Sequence, residues 1–169
     1  TFPLLRDCLE QVDPDLGFNI EIKWPMILRN GEAEMDNFFE PNYYVDRILG
    51  EIFRHANKRK IIISCFSPDI CAMVNLKQNL YPVLLLGGDS DYADFRVSSI
   101  ERTVSVACAE QLLGVALDAG EVLLASPDFV EHIRKKLNLV VFVWGEKGNH
   151  LEHRKELYKR GVNGVIYDR

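Results

Sequence analysis

Three polar residues at alternating positions, Asn19, Glu21 and Lys23, are the strongest candidates for chemistry in this sequence. They alternate with apolar residues through residues 18–24. Alternate side chains of a β-strand share a face, so the polar groups would line one side while the apolar groups pack under helices on the other. A carboxylate on such a face suits a hard divalent cation, and a lysine two positions on can neutralise a phosphate oxygen bound to that cation. The alternative is that Glu21 and Lys23 only take part in a cross-strand ion pair.

Four further residues could contribute to a site at the ends of predicted strands. Ser64, near the end of a β-branched run, could donate a hydrogen bond into a site or to the backbone. Trp144 ends an apolar run and could present a flat face to a small substrate or pack in the core. Asp118 and Asp168 could be ligands, although Asp residues at such positions more often cap helices or turns.

The histidines and the glycine pair favour no additional site. His150 and His153 have helical spacing, but zinc would need further ligands from elsewhere, so we interpret them as the solvated start of a helix. The Gly-Gly-Asp-Ser run at residues 87–90 lacks both the G-x-G-x-x-G pattern and the Lys-Ser/Thr pair of a nucleotide-binding loop. We interpret it as a turn.

Hydrophobic periodicity places these candidates on alternating strands and helices. Apolar residues at i, i+3, i+4, i+7, i+8 and i+11 predict an amphipathic helix over residues 45–56. At residues 67–69, Ser-Pro-Asp follows a strand and can begin a helix through a side-chain cap, a first-turn proline and a charge that complements the dipole. Residues 25–41 are acidic and suit a surface excursion.

The spacing of the strands predicts a parallel α/β fold. Strands begin near residues 18, 61, 82, 114, 139 and 164, on average roughly 29 residues apart, close to the roughly 31 that a (β/α)₈ barrel uses per unit. Runs that are apolar on both faces, at residues 81–86 and 139–143, belong in a parallel sheet covered by helices. An open doubly wound sheet would give the same pattern, and six strands do not close a barrel of eight.

Composition excludes several classes of protein. With 169 residues, 47% of them hydrophobic and 27% charged, the chain suits one soluble domain. A net charge of -5 argues against a nucleic-acid partner, and no apolar run is long enough to span a membrane. The four cysteines fit neither a C-x-x-C pair nor a disulfide framework, which favours a reducing, cytoplasmic setting.

At residues 18–25, Phe-Asn-Ile-Glu-Ile-Lys-Trp-Pro, the sequence resembles the glycerophosphodiester phosphodiesterase family, particularly its eukaryotic glycerophosphocholine phosphodiesterase branch. The likeness extends over the whole chain. Residues 62–71 are similar to the family's Ser-Phe strand end, residues 139–145 to its tryptophan-bearing strand, and residues 161–169 to its closing strand. The resemblance implies a TIM barrel, of which residues 1–169 would be the carboxyl-terminal part, with about six βα units and the first two strands missing.

The same resemblance implies metal-dependent hydrolysis of glycerophosphodiesters, such as glycerophosphocholine, to glycerol phosphate and an alcohol. By position, Glu21 matches the metal-ligating glutamate, Lys23 the catalytic lysine that contacts phosphate, and Trp144 the aromatic residue on the substrate's glycerol side. The cation would be Mg²⁺ or Ca²⁺.

Parts of the family pattern have no counterpart in this sequence. The family's His-Arg, Glu-x-Asp and later His-Asp segments all precede the matched region, so a preceding part of the protein would complete the barrel. The 169 residues alone would then be inactive. The alternatives are a catalytically silent α/β binding module and a related phospholipase C- or D-like barrel enzyme.

Overall fold

The computed structural model describes residues 2–36, 38–88 and 91–168. Within these ranges, strands and helices mostly alternate. The strands are β1 (Phe18–Glu21), β2 (Ile61–Cys65), β3 (Val83–Gly87), β4 (Gly114–Asp118), β5 (Val140–Trp144) and β6 (Gly164–Val165). The helices are α1 (Leu5–Gln11), α2 (Pro41–His55), α3 (Pro68–Lys77), α4 (Ile100–Ala109), α5 (Ala119–Leu124), α6 (Phe129–Lys136) and α7 (Leu151–Lys159), with a 3₁₀-helix at Glu146–Asn149.

The six strands form one parallel sheet whose spatial order is the order of the chain, β1-β2-β3-β4-β5-β6. A doubly wound sheet reverses its strand order at a switch point, whereas a βα barrel adds each strand beside the last. The observed order therefore excludes the doubly wound alternative and confirms the serial βα arrangement.

The sheet is curled, because groups from distant strands meet on one face. Residues of β1 and of the segment after β6 line the same cavity. Phe66, which follows β2, contacts Trp144 at the end of β5 with 5.2 Å between ring centroids. Two strands lie between β2 and β5, so this contact requires a concave face. The described residues thus form part of an α/β barrel that is open between β1 and β6.

The main hydrophobic core lies between the convex face of the sheet and the helices. On α2, Val45, Leu49 and Ile52 are buried at helical spacing, as predicted. Burying each such side chain contributes about 1.5–3 kcal/mol. The helix begins with Pro41 in its first turn, and the Glu40 carboxylate accepts hydrogen bonds from two first-turn N–H groups. These features fix the end of α2 that lies next to the acidic segment.

The predicted cap of α3 is present. Ser67 Oγ accepts a hydrogen bond of 3.3 Å from the N–H of Ile70. Asp69 in the first turn pairs with Arg96 at 2.8 Å, and this bond lowers the pKa of the Asp69 carboxyl. Arg96 also pairs with Asp94 at 2.7 Å, so it ties the loop after β3 to α3.

Several elements differ in length from the prediction, and one was missed. The closing strand, expected within residues 161–169, pairs over Gly164–Val165 only. β1 ends at Glu21, although the N–H of Ile22 still donates to Ser64 O at 2.7 Å. The helix Ala119–Leu124 was not predicted, because six residues are too few to show a helical period. Within the described ranges, no helix is both long enough and apolar enough to cross a lipid bilayer.

Candidate active site

β1 presents its polar side chains to the concave face, as the alternation predicts. Phe18 and Ile20 pack against the core under the helices, whereas Asn19 and Glu21 are exposed on the other side. The alternation continues beyond the strand, because Ile22 is buried and Lys23 is exposed. Asn19, Glu21 and Lys23 therefore line one wall of the concave face.

Glu21 and Lys23 form an ion pair within their own segment. Lys23 Nζ lies 2.6 Å from Glu21 Oε1. The hydrogen bond to Glu21, with further attraction from Glu21 and Glu34, raises the pKa of Lys23 above its ordinary value, although partial burial opposes the shift. The ion pair of the alternative interpretation is therefore present, but its two partners come from one segment of the chain and not from neighbouring strands. The pair is accessible, with 62% of the Lys23 side chain and 34% of the Glu21 side chain exposed.

A cavity of about 410 Å³ lies over this pair at the carboxyl ends of the strands. Its walls come from β1, β2, β3 and β5, from the loop after β3, and from the segment after β6. Of the other surface cavities, those beside Lys58 and beside Asn138 lie toward the amino ends of the strands. A further cavity of about 620 Å³, beside Asn149 and His150, lies next to the charged-pair cavity and shares Glu146 and Asp168 with it. The carboxyl end is where βα barrels hold their sites, and there the charged pair of β1 faces the cavity.

Part of the cavity wall is aromatic. Trp144 is half-buried, and its Nε1–H donates to Ala116 O at 3.0 Å. Phe66 meets Trp144 edge-on and also meets Tyr92, with ring centroids 5.2 Å apart in both cases. Trp144 thus packs against its neighbours and also lines the cavity, so the two interpretations from the sequence hold together.

A strap formed by residues 25–36 lies beside Lys23, where Met26 and Glu34 line a small depression together with Lys23 and Tyr92. Its backbone turns back on itself at the Ile27–Ala33 bridge and joins the loop after β3 at the Leu28–Tyr92 bridge. Tyr92 Oη donates to Glu34 Oε1 at 3.2 Å. Sequence reasoning missed Tyr92 as a cavity-wall residue and Glu34 as its partner. Their contact depends on pairing between segments roughly 60 residues apart, and such pairing leaves no local pattern in the sequence.

Ser64 is a buried hydroxyl beside the charged pair. It pairs in register with Glu21 across β1 and β2 and lines the same cavity. The side chain is 0% exposed, and its Oγ has no hydrogen-bond partner among the described residues. The hydrogen bond to backbone that was the common expectation for such a serine is therefore not formed.

The remaining sequence candidates have other surroundings. Asp118 Oδ1 accepts from the N–H of Glu121 and caps α5, which confirms the capping interpretation. Asp168 lines the cavity, and its N–H donates to an asparagine side chain. His150 is exposed before α7, with its ring centroid 5.3 Å from that of His153. Across residues 2–36, 38–88 and 91–168, no group of three or more His, Cys, Asp and Glu side chains could hold a metal ion.

The Gly-Gly-Asp-Ser run at the end of β3 is only partly described. Gly88 has a φ of +87°, which is a turn conformation that glycine adopts readily. Residues 89 and 90 of the predicted turn lie outside the described residues.

Comparison with known proteins gives one consistent family. A model of the glycerophosphoryl diester phosphodiesterase family matches residues 1–169. The chain is 40% identical over 175 residues to the human glycerophosphocholine phosphodiesterase GPCPD1, an alignment that covers 99% of this chain and 26% of the relative. It is 34% identical over 173 residues to glycerophosphocholine phosphodiesterase gde1 of Schizosaccharomyces pombe, covering 99% of this chain and 15% of that protein. The chain thus spans about a quarter of the human relative.

Solved structures show the same fold. A glycerophosphodiester phosphodiesterase from Thermotoga maritima superposes with a TM-score of 0.64 at 23% identity, over 97% of this chain and 59% of the other. A putative glycerophosphodiester phosphodiesterase from Galdieria sulphuraria gives 0.63 at 17% identity, over 89% and 53%. At these identities the likeness supports the barrel fold alone.

Proposed function

Because the chain belongs to the glycerophosphoryl diester phosphodiesterase family, we propose that it forms part of an active site that hydrolyses glycerophosphodiesters to glycerol phosphate and an alcohol. The observation that carries the proposal is the projection of Glu21 and Lys23 into one cavity at the carboxyl ends of the strands. Since the chain spans about a quarter of its human relative, the activity would be that of a longer protein in which further residues complete the barrel.

Lys23 is the group that would bind the phosphate. Its ammonium is largely exposed to the cavity, and its raised pKa keeps it charged at neutral pH. A fixed positive charge beside a phosphodiester offsets the negative charge that grows on the phosphate oxygens as the transition state forms. To do this, Lys23 would exchange its contact with Glu21 for one with a phosphate oxygen.

Glu21 fits one position of a divalent-cation site, for Mg²⁺ or Ca²⁺, because its carboxylate is a hard oxygen donor on the cavity wall. A cation bound there would polarise a phosphodiester oxygen as a Lewis acid. The described residues hold no cluster of three or more metal-ligating side chains, so the other ligands would come from outside them. The described residues would contribute one ligand, the Glu21 carboxylate, which faces the cavity.

Trp144 would bound the substrate on its glycerol side. Its ring is fixed by the hydrogen bond to Ala116 O and by the edge-on contact with Phe66, so it would hold one orientation as substrate enters. A rigid apolar wall in the same cavity as the charged pair would help to place the phosphate against Lys23. Proton transfer to the leaving alcohol would be the work of histidines beyond this chain, since the described residues lining the cavity include none.

The test is turnover of glycerophosphocholine by the full-length protein, because the human and S. pombe relatives carry that name. We expect Glu21→Gln and Lys23→Met each to lower kcat/KM by about 100-fold or more, as removal of one transition-state contact does in other enzymes. Lys77→Met is the matched control, since Lys77 pairs with Asp46 at 2.8 Å between helices on the convex side. The isolated 169-residue chain should be inactive.

The outcomes separate the alternatives. Wild-type turnover in both the Glu21 and Lys23 variants would contradict the proposal, and a folded full-length protein without turnover would favour the silent binding module. Phosphorus NMR of the products distinguishes glycerol phosphate from the cyclic phosphate of a phospholipase C-like reaction. We also propose a cytoplasmic location, which is supported by the four cysteines, all of them free.

A further inference from the structure

The hydroxyl of Ser64 is an exception to the way proteins bury polar groups. Its side chain is 0% exposed, and its Oγ has no hydrogen-bond partner in the described part of the chain. Buried hydroxyls are nearly always hydrogen-bonded, because burial without a partner costs free energy. We therefore expect the Ser64 hydroxyl to form a hydrogen bond in another conformation of the site.

Glu21 is the polar neighbour that can become that partner. β1 and β2 place it directly beside Ser64 in register, and the two side chains share the concave face. Neighbouring strands lie about 4.8 Å apart, so a change of the Glu21 side-chain rotamer brings its carboxylate to the hydroxyl. On the other side, Ser64 pairs in register with Leu84, which is buried and apolar.

A ligand is a poorer candidate for that partner. The accessible area of Ser64 Oγ is essentially zero, although the open barrel leaves the Glu21 and Lys23 side chains partly exposed. A substrate oxygen therefore meets those two side chains before it meets the hydroxyl. Ser64 would act through Glu21.

We propose that Ser64 is a positioning residue for Glu21, an inference that rests on the function proposed above. In the structure, the Glu21 carboxylate accepts its hydrogen bond from Lys23 at 2.6 Å. When Lys23 turns to a phosphate oxygen, the carboxylate loses that donor and accepts one from Ser64 Oγ instead. One carboxylate oxygen is then held against β2, and the other is left facing the cavity for a divalent cation.

The hydrogen bond from Ser64 has a definite consequence for cation binding. Groups that hold a metal-ligating side chain in place are worth about 10- to 100-fold in metal affinity or activity. Deletion of the Ser64 hydroxyl should therefore weaken cation binding even when the fold is intact, whereas deletion of a hydroxyl that only packs should not.

The experiment compares Ser64→Ala, Ser64→Cys and Glu21→Gln in the full-length protein. Mn²⁺ binding is measured by electron paramagnetic resonance with saturating glycerol phosphate, whose phosphate draws Lys23 away from Glu21, and kcat and KM are measured with glycerophosphocholine. Thr103→Val is the matched control, because Thr103 is also 0% exposed but its hydroxyl bonds to Ser99 O on α4, outside the cavity. We expect about 10-fold weaker Mn²⁺ binding for Ser64→Ala, a smaller loss for Ser64→Cys, whose thiol is a weak donor, and wild-type binding for Thr103→Val.

The results distinguish this inference from the function on which it rests. Mn²⁺ affinity within twofold of wild type in Ser64→Ala, together with a large loss in Glu21→Gln, overturns the role of Ser64 and leaves the proposed function in place. Wild-type affinity and turnover in Glu21→Gln overturns both. If Ser64→Ala does not fold, Ser64→Cys decides, and wild-type Mn²⁺ affinity in that variant also overturns the inference.

Discussion

Replacement of Arg59 by Met should loosen the segment that leads into β1. Arg59 is 6% exposed, and its guanidinium lies 4.4 Å from the ring centroid of Phe18. It donates four hydrogen bonds of 2.6–3.0 Å to carbonyl oxygens in and after α1. The acceptors are the carbonyls of Leu9, Val12, Asp13 and Leu16. One side chain thus closes the end of α1 and fixes the approach to the strand that carries Glu21.

The size of the effect follows from how buried each acceptor is. The bond to Leu9 O is buried, whereas the other three are partly buried, so water can replace them in part. Leaving one carbonyl buried without a partner, and weakening three bonds to a charged donor, should cost about 2–4 kcal/mol together. Methionine keeps most of the apolar stem, so this cost is mainly the loss of hydrogen bonds.

Amide hydrogen exchange measures this loss of stability in the segment that Arg59 holds in place. In the regime where exchange reports local opening, 2–4 kcal/mol corresponds to roughly 30- to 900-fold faster exchange of the amides in residues 5–18. Arg54→Met is the control, because Arg54 is 57% exposed and pairs with Glu51 on the surface of α2. Exposed pairs of this kind contribute little to stability, so exchange in this variant should stay close to wild type. Equal exchange in the two variants would refute the reasoning.

Three further predictions concern the site and the open sheet. Glu21→Gln should lower the pKa of Lys23, because it removes the carboxylate whose hydrogen bond raises it, and carbon NMR of labelled lysine measures this; an unchanged pKa contradicts the pair. Gly145→Ala should destabilise the protein by about 1–2 kcal/mol more than Gly31→Ala in urea unfolding. Both glycines have positive φ, but a Cβ at position 145 would lie 2.7 Å from Asp118 Oδ2, whereas at position 31 nothing lies within 4 Å; equal losses would mean that the close contact relaxes at no cost. The isolated chain should associate through the unpaired edges of β1 and β6, and a clean monomer in sedimentation velocity would argue against this.

Local sequence patterns predicted the orientation of the candidate site residues on and just after β1. The alternation through residues 18–24 assigned Glu21 and Lys23 to the face away from the helices, because a strand has a fixed period of two. The helix cap at Ser67 could also be predicted from the sequence, because capping depends on only a few neighbouring residues. The parallel order of the sheet followed from strand spacing, but its distinction from a doubly wound sheet required the observed strand order.

Contacts between distant segments could not be predicted in this way. The hydrogen bond between Tyr92 and Glu34 forms because a β-bridge joins the strap to the loop after β3. Neither segment has a periodic sequence pattern from which this pairing could be predicted. The unpartnered state of Ser64 depends on which side chains of β1 and β3 lie beside it, which only the register reveals. The structure was likewise needed to show that Lys23 pairs with Glu21 within one segment and not across strands.

The edge position of β1 determines how the charged pair would behave in a complete barrel. While both side chains are partly exposed, an ion pair such as Glu21–Lys23 contributes about 0.2–1 kcal/mol. If further strands cover β1, the charges lose hydration, and the cost is several kcal/mol per ion. A phosphate and a divalent cation would give each charge a new partner of opposite sign and so offset that cost. Barrel closure would therefore favour the ligand-bound arrangement over the bare ion pair.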